Sequence, residues 1–196
     1  MPAHVSPKAP SAGLQIVSGL LTHRAVATCL TGDIDQLEPG SFKWAATVAS
    51  IADGVVGSHP KLGSHRSRIR MLVTTATGAY LQRWVPPGPV RFVAAEVPVG
   101  HGRVDLVWEH PDLGVFFDEI KTSRLSRPHE SPSTIEQVLR YAADGQTKHG
   151  QEFAGVRLIP ILSPHCSRLA MPGATTLAPL AGSALDFTGH PRGKAA

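Results

Sequence analysis

Between Arg91 and Lys121 the chain alternates between apolar and polar positions. The runs VAAEVPV (93–99), RVDLVW (103–108) and VFFDEIK (115–121) follow a period of two, and the breaks at 100–102 and 110–114 carry turn residues. That pattern predicts half-buried strands joined by hairpins, and so a three-stranded antiparallel meander. If Val99 faces Gly102, counting back along both strands sets Glu96 opposite Asp105. Pairing Glu109 with Val115 across the longer loop sets Asp105 opposite Glu119. Both registers matter, because a slip of one residue would turn a strand's side chains to the other face. Glu119 and Lys121 are two apart on one strand and share a face in any register.

Helical spacing appears on both sides of the meander. Phe42, Ala45, Ala49, Ile51 and Ala52 predict a helix over 41–56, with Trp44 read as a core residue. Ile69, Leu72, Val73, Ala76 and Tyr80 predict another over 62–84, stopped by Pro86-Pro87. A third starts after Ser131-Pro132, with Ser133-Thr134-Ile135-Glu136 in capping-box form and Ile135, Val138, Leu139 and Ala142 as its buried stripe; it ends near 145–150. The apolar run 155–162 reads as one more strand. A strand–helix–strand crossover makes it parallel to the strand of Glu119. The expected fold class is therefore α/β, a mixed central β-sheet flanked by helices. The organisation reads as a flexible N-terminal extension over 1–40 holding at most a short helix, one domain over 41–165, and a loose tail over 166–196, where Pro, Ala, Gly and Thr show no periodicity. The apolar run 14–30 is broken by His23 and Arg24, too interrupted to cross a bilayer. A cytoplasmic protein with no membrane partner is the expectation.

Composition narrows this only slightly. A chain of 196 residues is long enough to bury one real core. Its formal charge of +4 suits a polyanionic partner without requiring one. Cys29 and Cys166 are the only cysteines, which excludes a four-cysteine zinc site and a disulfide scaffold and reads as two reduced, partly buried thiols.

The chemistry lies in the meander. The registers above gather Glu96, Asp105, Glu119 and Lys121 on one sheet surface. Like charges facing each other destabilise a sheet, so three carboxylates call for a cation. A hard divalent ion such as Mg²⁺ takes oxygen ligands and is commonly shared with a substrate phosphate. Lys121 would then polarise a water or offset charge on the phosphate.

Asp105, thirteen residues, then Glu119-Ile120-Lys121 resembles the core of the PD-(D/E)XK nuclease superfamily. With GRVDLVW (102–108) as the second strand, the chain looks most like the RecB-like and phage-exonuclease-like branch. The resemblance covers about 62–162. It implies a restriction-endonuclease-like core in which Asp105, Glu119 and the Ile120 carbonyl hold Mg²⁺ or Mn²⁺ and Lys121 is catalytic. Gln137 and Tyr141, four apart on the predicted helix, resemble the Gln-x-x-x-Tyr motif that follows this strand and borders the site, with Gln137 donating to a phosphate or metal-bound water and Tyr141 helping to position the strand. Gly63-Ser64-His65 resembles the histidine-bearing segment before the meander. This makes His65, with Glu96, an added metal ligand, and an imidazole suits Mn²⁺ better than Mg²⁺. Read alone, His65 is equally an exposed histidine in a basic patch with Arg66, Arg68 and Arg70, and Tyr141 a half-buried residue on a helix edge. Some relatives hold an iron–sulfur cluster on four cysteines, which this chain does not have. The function implied is metal-dependent hydrolysis of phosphodiester bonds in DNA, with Arg103, Arg124, Arg127, Gln137 and Tyr141 at the nucleic acid. The alternative is a catalytically inactive module of the same fold that binds nucleic acid or a protein partner.

Overall fold

The meander folds in the predicted register. Val99 pairs with Gly102 and Glu109 with Val115. The computed structural model describes residues 12–122 and 127–188. Three helices come first: α1 (Ala12–Thr31), α2 (Phe42–Gly57) and α3 (Arg66–Arg83). The hairpins follow as β1 (Arg91–Val99), β2 (Gly102–His110) and β3 (Gly114–Lys121), then α4 (Pro132–His149) and β4 (Phe153–Pro160). Two short strands, β5 (Arg168–Ala170) and β6 (Ala178–Pro179), complete a six-stranded sheet whose strands lie in sequence order. Only β3 and β4 pair in parallel, as the α4 crossover demands, so the sheet is mixed.

Alternation along the strands gives each face its own core. Leu106, Trp108, Phe116 and Ile120 pack with Trp44 and Val48 of α2, Tyr80 of α3 and Trp84 just after α3. Val107 and Phe117 point the other way, onto Val138, Tyr141 and Ala142 of α4. Helices thus cover both faces, the arrangement that lets a central strand such as β4 be buried along its length and apolar apart from Arg157. Cys29 and Cys166 are buried free thiols. No helix among the described residues is long and apolar enough to cross a membrane.

Three expectations change. The stretch read as a flexible extension forms α1, twenty residues long, with Leu21, Ala25, Val26 and Cys29 fully buried. These four recur at helical spacing, and His23 and Arg24 fall beside the stripe rather than across it. Residues expected to be a loose tail instead add β5 and β6 to the sheet and bury Leu169, Leu180 and Leu185. Single apolar side chains fixed by a sheet edge leave no periodic trace. The capping box also does not form: Ser131 is the N-cap, Pro132 occupies the first turn, and Ser131 Oγ meets Ser133 Oγ at 3.1 Å without capping a backbone N–H.

The most polar feature of the core joins the two parallel strands. Asp118 and Arg157 face each other across β3 and β4, both buried. Arg157 Nε donates to Asp118 Oδ1 and Nη2 to Oδ2, each at 2.6 Å. Tyr80 from α3 donates to Oδ2 at 2.5 Å and the Trp108 indole at 3.1 Å. Arg157 Nη2 also donates to the Trp84 carbonyl at 3.1 Å and Nη1 to the Leu185 carbonyl at 3.5 Å. Burial, and then the Asp118 charge, push the Tyr80 hydroxyl well above its usual range, so it stays a donor. One network therefore ties α3, β2, β3, β4 and the C-terminal segment. Removing one member of a buried ion pair strands the other's charge. Arg157→Leu should lower unfolding free energy by about 3–5 kcal/mol in urea titrations, and Asp118→Leu/Arg157→Leu should cost clearly less than the sum of the two single changes.

Candidate metal centre

Asp118 turns into the buried network, so its neighbour Glu119 turns to the opposite face, where Asp105 of β2 also points. Both are buried, Asp105 at 8% exposure and Glu119 at 3%. The Ile120 N–H donates to Asp105 Oδ2 at 2.6 Å, fixing that carboxylate against β3. Lys121 Nζ donates to Glu119 Oε1 at 2.7 Å and to Gln137 Oε1 at 3.0 Å. Gln137 Nε2 in turn donates to the Tyr141 hydroxyl at 3.1 Å. That hydroxyl donates to the Arg103 carbonyl at 2.8 Å and accepts from the Arg103 N–H at 3.2 Å. A chain of hydrogen bonds thus runs from the β2 backbone through α4 to the lysine. Gly102 is what admits it: a Cβ there would stand 2.5 Å from Tyr141 Cε1.

The histidine at this cluster comes from α1. At Gly19 the helix lies so close to the end of β3 that a Cβ would stand 2.9 Å from Thr122 Oγ1. One turn later, His23 Nδ1 meets Asp105 Oδ1 at 3.0 Å. Ligand atoms of His23, Glu96 and Asp105 all lie within 4.8 Å of one another. His65 is not among them. It sits exposed in the 3-10 turn ahead of α3, whose buried stripe, Ile69, Val73 and Tyr80, starts only beyond it. The signal for His23 was present in the sequence: an imidazole inside an apolar run, flanked at two residues on either side by Leu21 and Ala25.

Glu96 reaches the group through an irregular backbone. It has φ +54°, the one non-glycine residue with positive φ among those described, between the regular pairs Ala95–Leu106 and Val97–Val104. For an L-residue this region costs about 1–2 kcal/mol, and such strain gathers where a site needs it. Arg103 Nη1 lies 3.9 Å from Glu96 Oε2, with its side chain largely exposed.

The electrostatics describe a site short of positive charge. Burial, reinforced by the Asp105 charge, raises the Glu119 carboxyl to about 7 although Lys121 opposes the shift. Burial works against a charged His23, yet the charge and hydrogen bond of Asp105 outweigh it and hold the imidazole above its usual value. Glu119 Oε2 is buried with no hydrogen-bond partner. A carboxylate oxygen in that position is normally satisfied by a donor or a cation. The group of His23, Glu96 and Asp105, two carboxylates and one imidazole, suits a divalent ion that accepts oxygen and nitrogen, with Glu119 outside that group but close enough for its charge to act on Asp105.

No family model and no curated protein matches this chain.

Of the positions singled out in the sequence, Glu96, Asp105, Glu119, Lys121, Gln137 and Tyr141 come together, and Ile120 contributes its N–H. Tyr141 is 3% exposed and its hydroxyl is fully engaged, so it positions Gln137 rather than presenting a surface to nucleic acid. Arg127 is exposed and pairs with Glu130 at 3.0 Å, and Arg124 lies outside the described residues.

The raised Glu119 carboxyl has a signed consequence for the metal-free protein. Its folded value of about 7 exceeds the ordinary 4.5, so its contribution to stability is complete below pH 4.5 and is lost as pH rises towards 7. In EDTA, Glu119→Gln should flatten the fall in melting temperature across that window, and a divalent ion should oppose the fall in the parent protein. Glu96→Gly relieves the backbone strain. It should leave metal-free stability unchanged or higher while weakening metal binding, as read by calorimetric titration.

Proposed function

We propose that the protein is a metal-dependent nuclease that hydrolyses phosphodiester bonds of DNA, with a restriction-endonuclease-like arrangement of its α/β core. The observation that carries this reading is the unpartnered buried oxygen of Glu119, beside Asp105 and two residues along the strand from a tethered lysine. Asp105 and Glu119 would hold the ion, with the Ile120 carbonyl, Glu96 and His23 as further ligands. A bound Mg²⁺ or Mn²⁺ supplies Lewis acidity to a phosphoryl oxygen and lowers the pKa of a water.

The chain's own groups do the rest. The Lys121 ammonium, held by Glu119 and Gln137, would face a phosphate bound at the ion and stabilise the negative charge that grows on it. A free lysine would lose side-chain entropy on adopting that position. Here the chain from Tyr141 through Gln137 fixes the ammonium beforehand. Asp105, clamped by Ile120 N–H, keeps one oxygen oriented towards His23 and Glu96. Arg103, exposed at the edge of the cluster, is placed to meet a neighbouring phosphate, which would position the strand without reading its sequence.

The test is cleavage of matched linear and circular, single- and double-stranded DNA with Mg²⁺, Mn²⁺ or EDTA. Cleavage should need the metal and disappear in Glu119→Ala. Lys121→Ala should lower the rate by about two to three orders of magnitude, the scale for losing one charge-stabilising group, with its melting temperature kept. His23→Ala should raise the metal concentration needed, and His65→Ala should not. A metal-dependent thermal shift without Glu119-dependent cleavage of any substrate would overturn turnover and leave a binding module.

A further inference from the structure

The row of residues that crosses the sheet at Glu119 continues beyond that strand. Directly paired positions share a face, so Leu158 of β4 and Arg168 of β5, which follow Glu119 in register, point with it to the side of α4. Ala170, two residues after Arg168, packs into the core on that side. Arg168 therefore stands two strands from Glu119, about 10 Å at the usual strand spacing. Leu158 between them is fully buried in the core under α4. The acid and the arginine thus open on opposite flanks of this helix, and the short way from one to the other leads round its N-terminus.

That way is positively charged. Arg168 Nη1 donates to the carbonyls of Ser167 at 3.0 Å and His165 at 3.4 Å, and the guanidinium pairs with no carboxylate among the described residues. The helix α4 begins at Ser131 with no acid in its first turn and no side chain capping its amides, so the positive end of 18 aligned residues is left uncompensated. The 3-10 turn Pro128–Glu130 leads directly into Ser131 and carries His129, whose side chain is only 9% exposed. Its Nδ1 is buried without a hydrogen-bond partner, while Nε2 lies 3.6 Å from Glu130 Oε1. Burial first, then the charges of Arg168, Arg127 and His165, hold this imidazole below its usual value, and only Glu130 opposes them. One acid among four basic side chains, next to an open helix N-terminus, leaves a place for an added anion.

We infer that Arg168, His129, Arg127 and the first turn of α4 form a second phosphate site, which takes a backbone phosphate of the same strand whose scissile phosphate lies at the ion. The inference rests on the nucleic-acid reading of the metal centre. At about 10 Å the two positions are about three nucleotides apart on a stacked strand, at about 3.4 Å each. The hydroxyls of Ser131 and Ser133, 3.1 Å apart at the helix start, and the free amides of the first turn supply donors. With its proton on Nδ1, His129 adds a buried donor that no protein atom uses. Such contacts read no sequence; they fix the course of the strand past the ion.

Fluorescence anisotropy of the full chain with a labelled single-stranded oligodeoxynucleotide in EDTA, over a range of salt, tests the site without turnover. Arg168→Gln should weaken binding and lower the slope of log affinity against log salt by about 0.7, the value for one phosphate on a single strand. Lys43→Gln removes an equal charge from the exposed side of α2 and should leave the slope unchanged. Arg168→Lys should keep most of the slope. Ser133→Asp places a carboxylate in the first turn of α4, where a helix favours one; its melting temperature should hold or rise while oligonucleotide binding falls, which separates a lost site from a lost fold. Oligonucleotide binding indifferent to Arg168→Gln and Ser133→Asp, beside cleavage that needs Glu119, would overturn the second site and keep the nuclease reading. Arg168-dependent binding with no cleavage would keep the site and overturn turnover. Inorganic phosphate that raises the melting temperature through Arg168, with no effect of that residue on the oligonucleotide, would make this a site for a free anion and overturn the strand assignment.

Discussion

Two consecutive acids on β3 organise this molecule, because a strand must send neighbouring side chains to opposite faces. Asp118 goes to the side of α3 and is fully answered by protein, through Arg157, Tyr80 and Trp108. Glu119 goes to the side of α4 and is answered only in part, through Lys121 on one oxygen. The first acid uses its charge to join strands and helices. The second keeps one oxygen that no protein group answers. A buried carboxylate with a complete set of donors is a structural device, whereas Glu119 keeps one buried oxygen without a hydrogen-bond partner beside a second acid. The same residue class takes both roles one position apart, decided by the pleat alone.

What was legible in the sequence follows from which forces act locally. Strand register was, because hairpin turns fix it and alternation labels both faces, so Glu96, Asp105 and Glu119 align from the pattern of residues alone. The parallel pairing of β3 with β4 followed from the crossover rule. The Gln137–Tyr141 pair was visible as two residues on one helix face, though not that the tyrosine works through the β2 backbone. Less was visible wherever the partner is distant in sequence. Arg157 stands as a lone charge in an otherwise apolar strand, a sign that a buried counter-charge must exist, but nothing local names Asp118. His23 and His65 are both histidines ahead of the meander, and only the packing of α1 against Thr122 selects between them.

The site also shows how strain and pre-ordering divide between the residues that form it. Glu96 is held in an unfavourable backbone region and placed beside His23 and Asp105, whereas Lys121 is held in place by a relaxed chain of ordinary hydrogen bonds. The acids are kept close against their mutual repulsion by the sheet, and the lysine is kept still by the helix. Both arrangements draw on the two hydrophobic cores that lock α4 and the three N-terminal helices onto opposite faces.

The position of α1 has a bearing on where the working unit begins. A fragment cut at residue 41, where helical periodicity first becomes clear, would keep every strand and both acids of β2 and β3. It would also uncover the wall of α2 and α3 against which Leu21 and Ala25 lie fully buried, and it would remove the imidazole from beside Asp105. The first helix is therefore at once a piece of the core and a piece of the candidate site, and trimming it would confound loss of folding with loss of the imidazole beside Asp105. The smallest fragment able to keep both is bounded by the packing of α1, and the amphipathic pattern that opens at Ser41 marks only where the second layer of that packing starts.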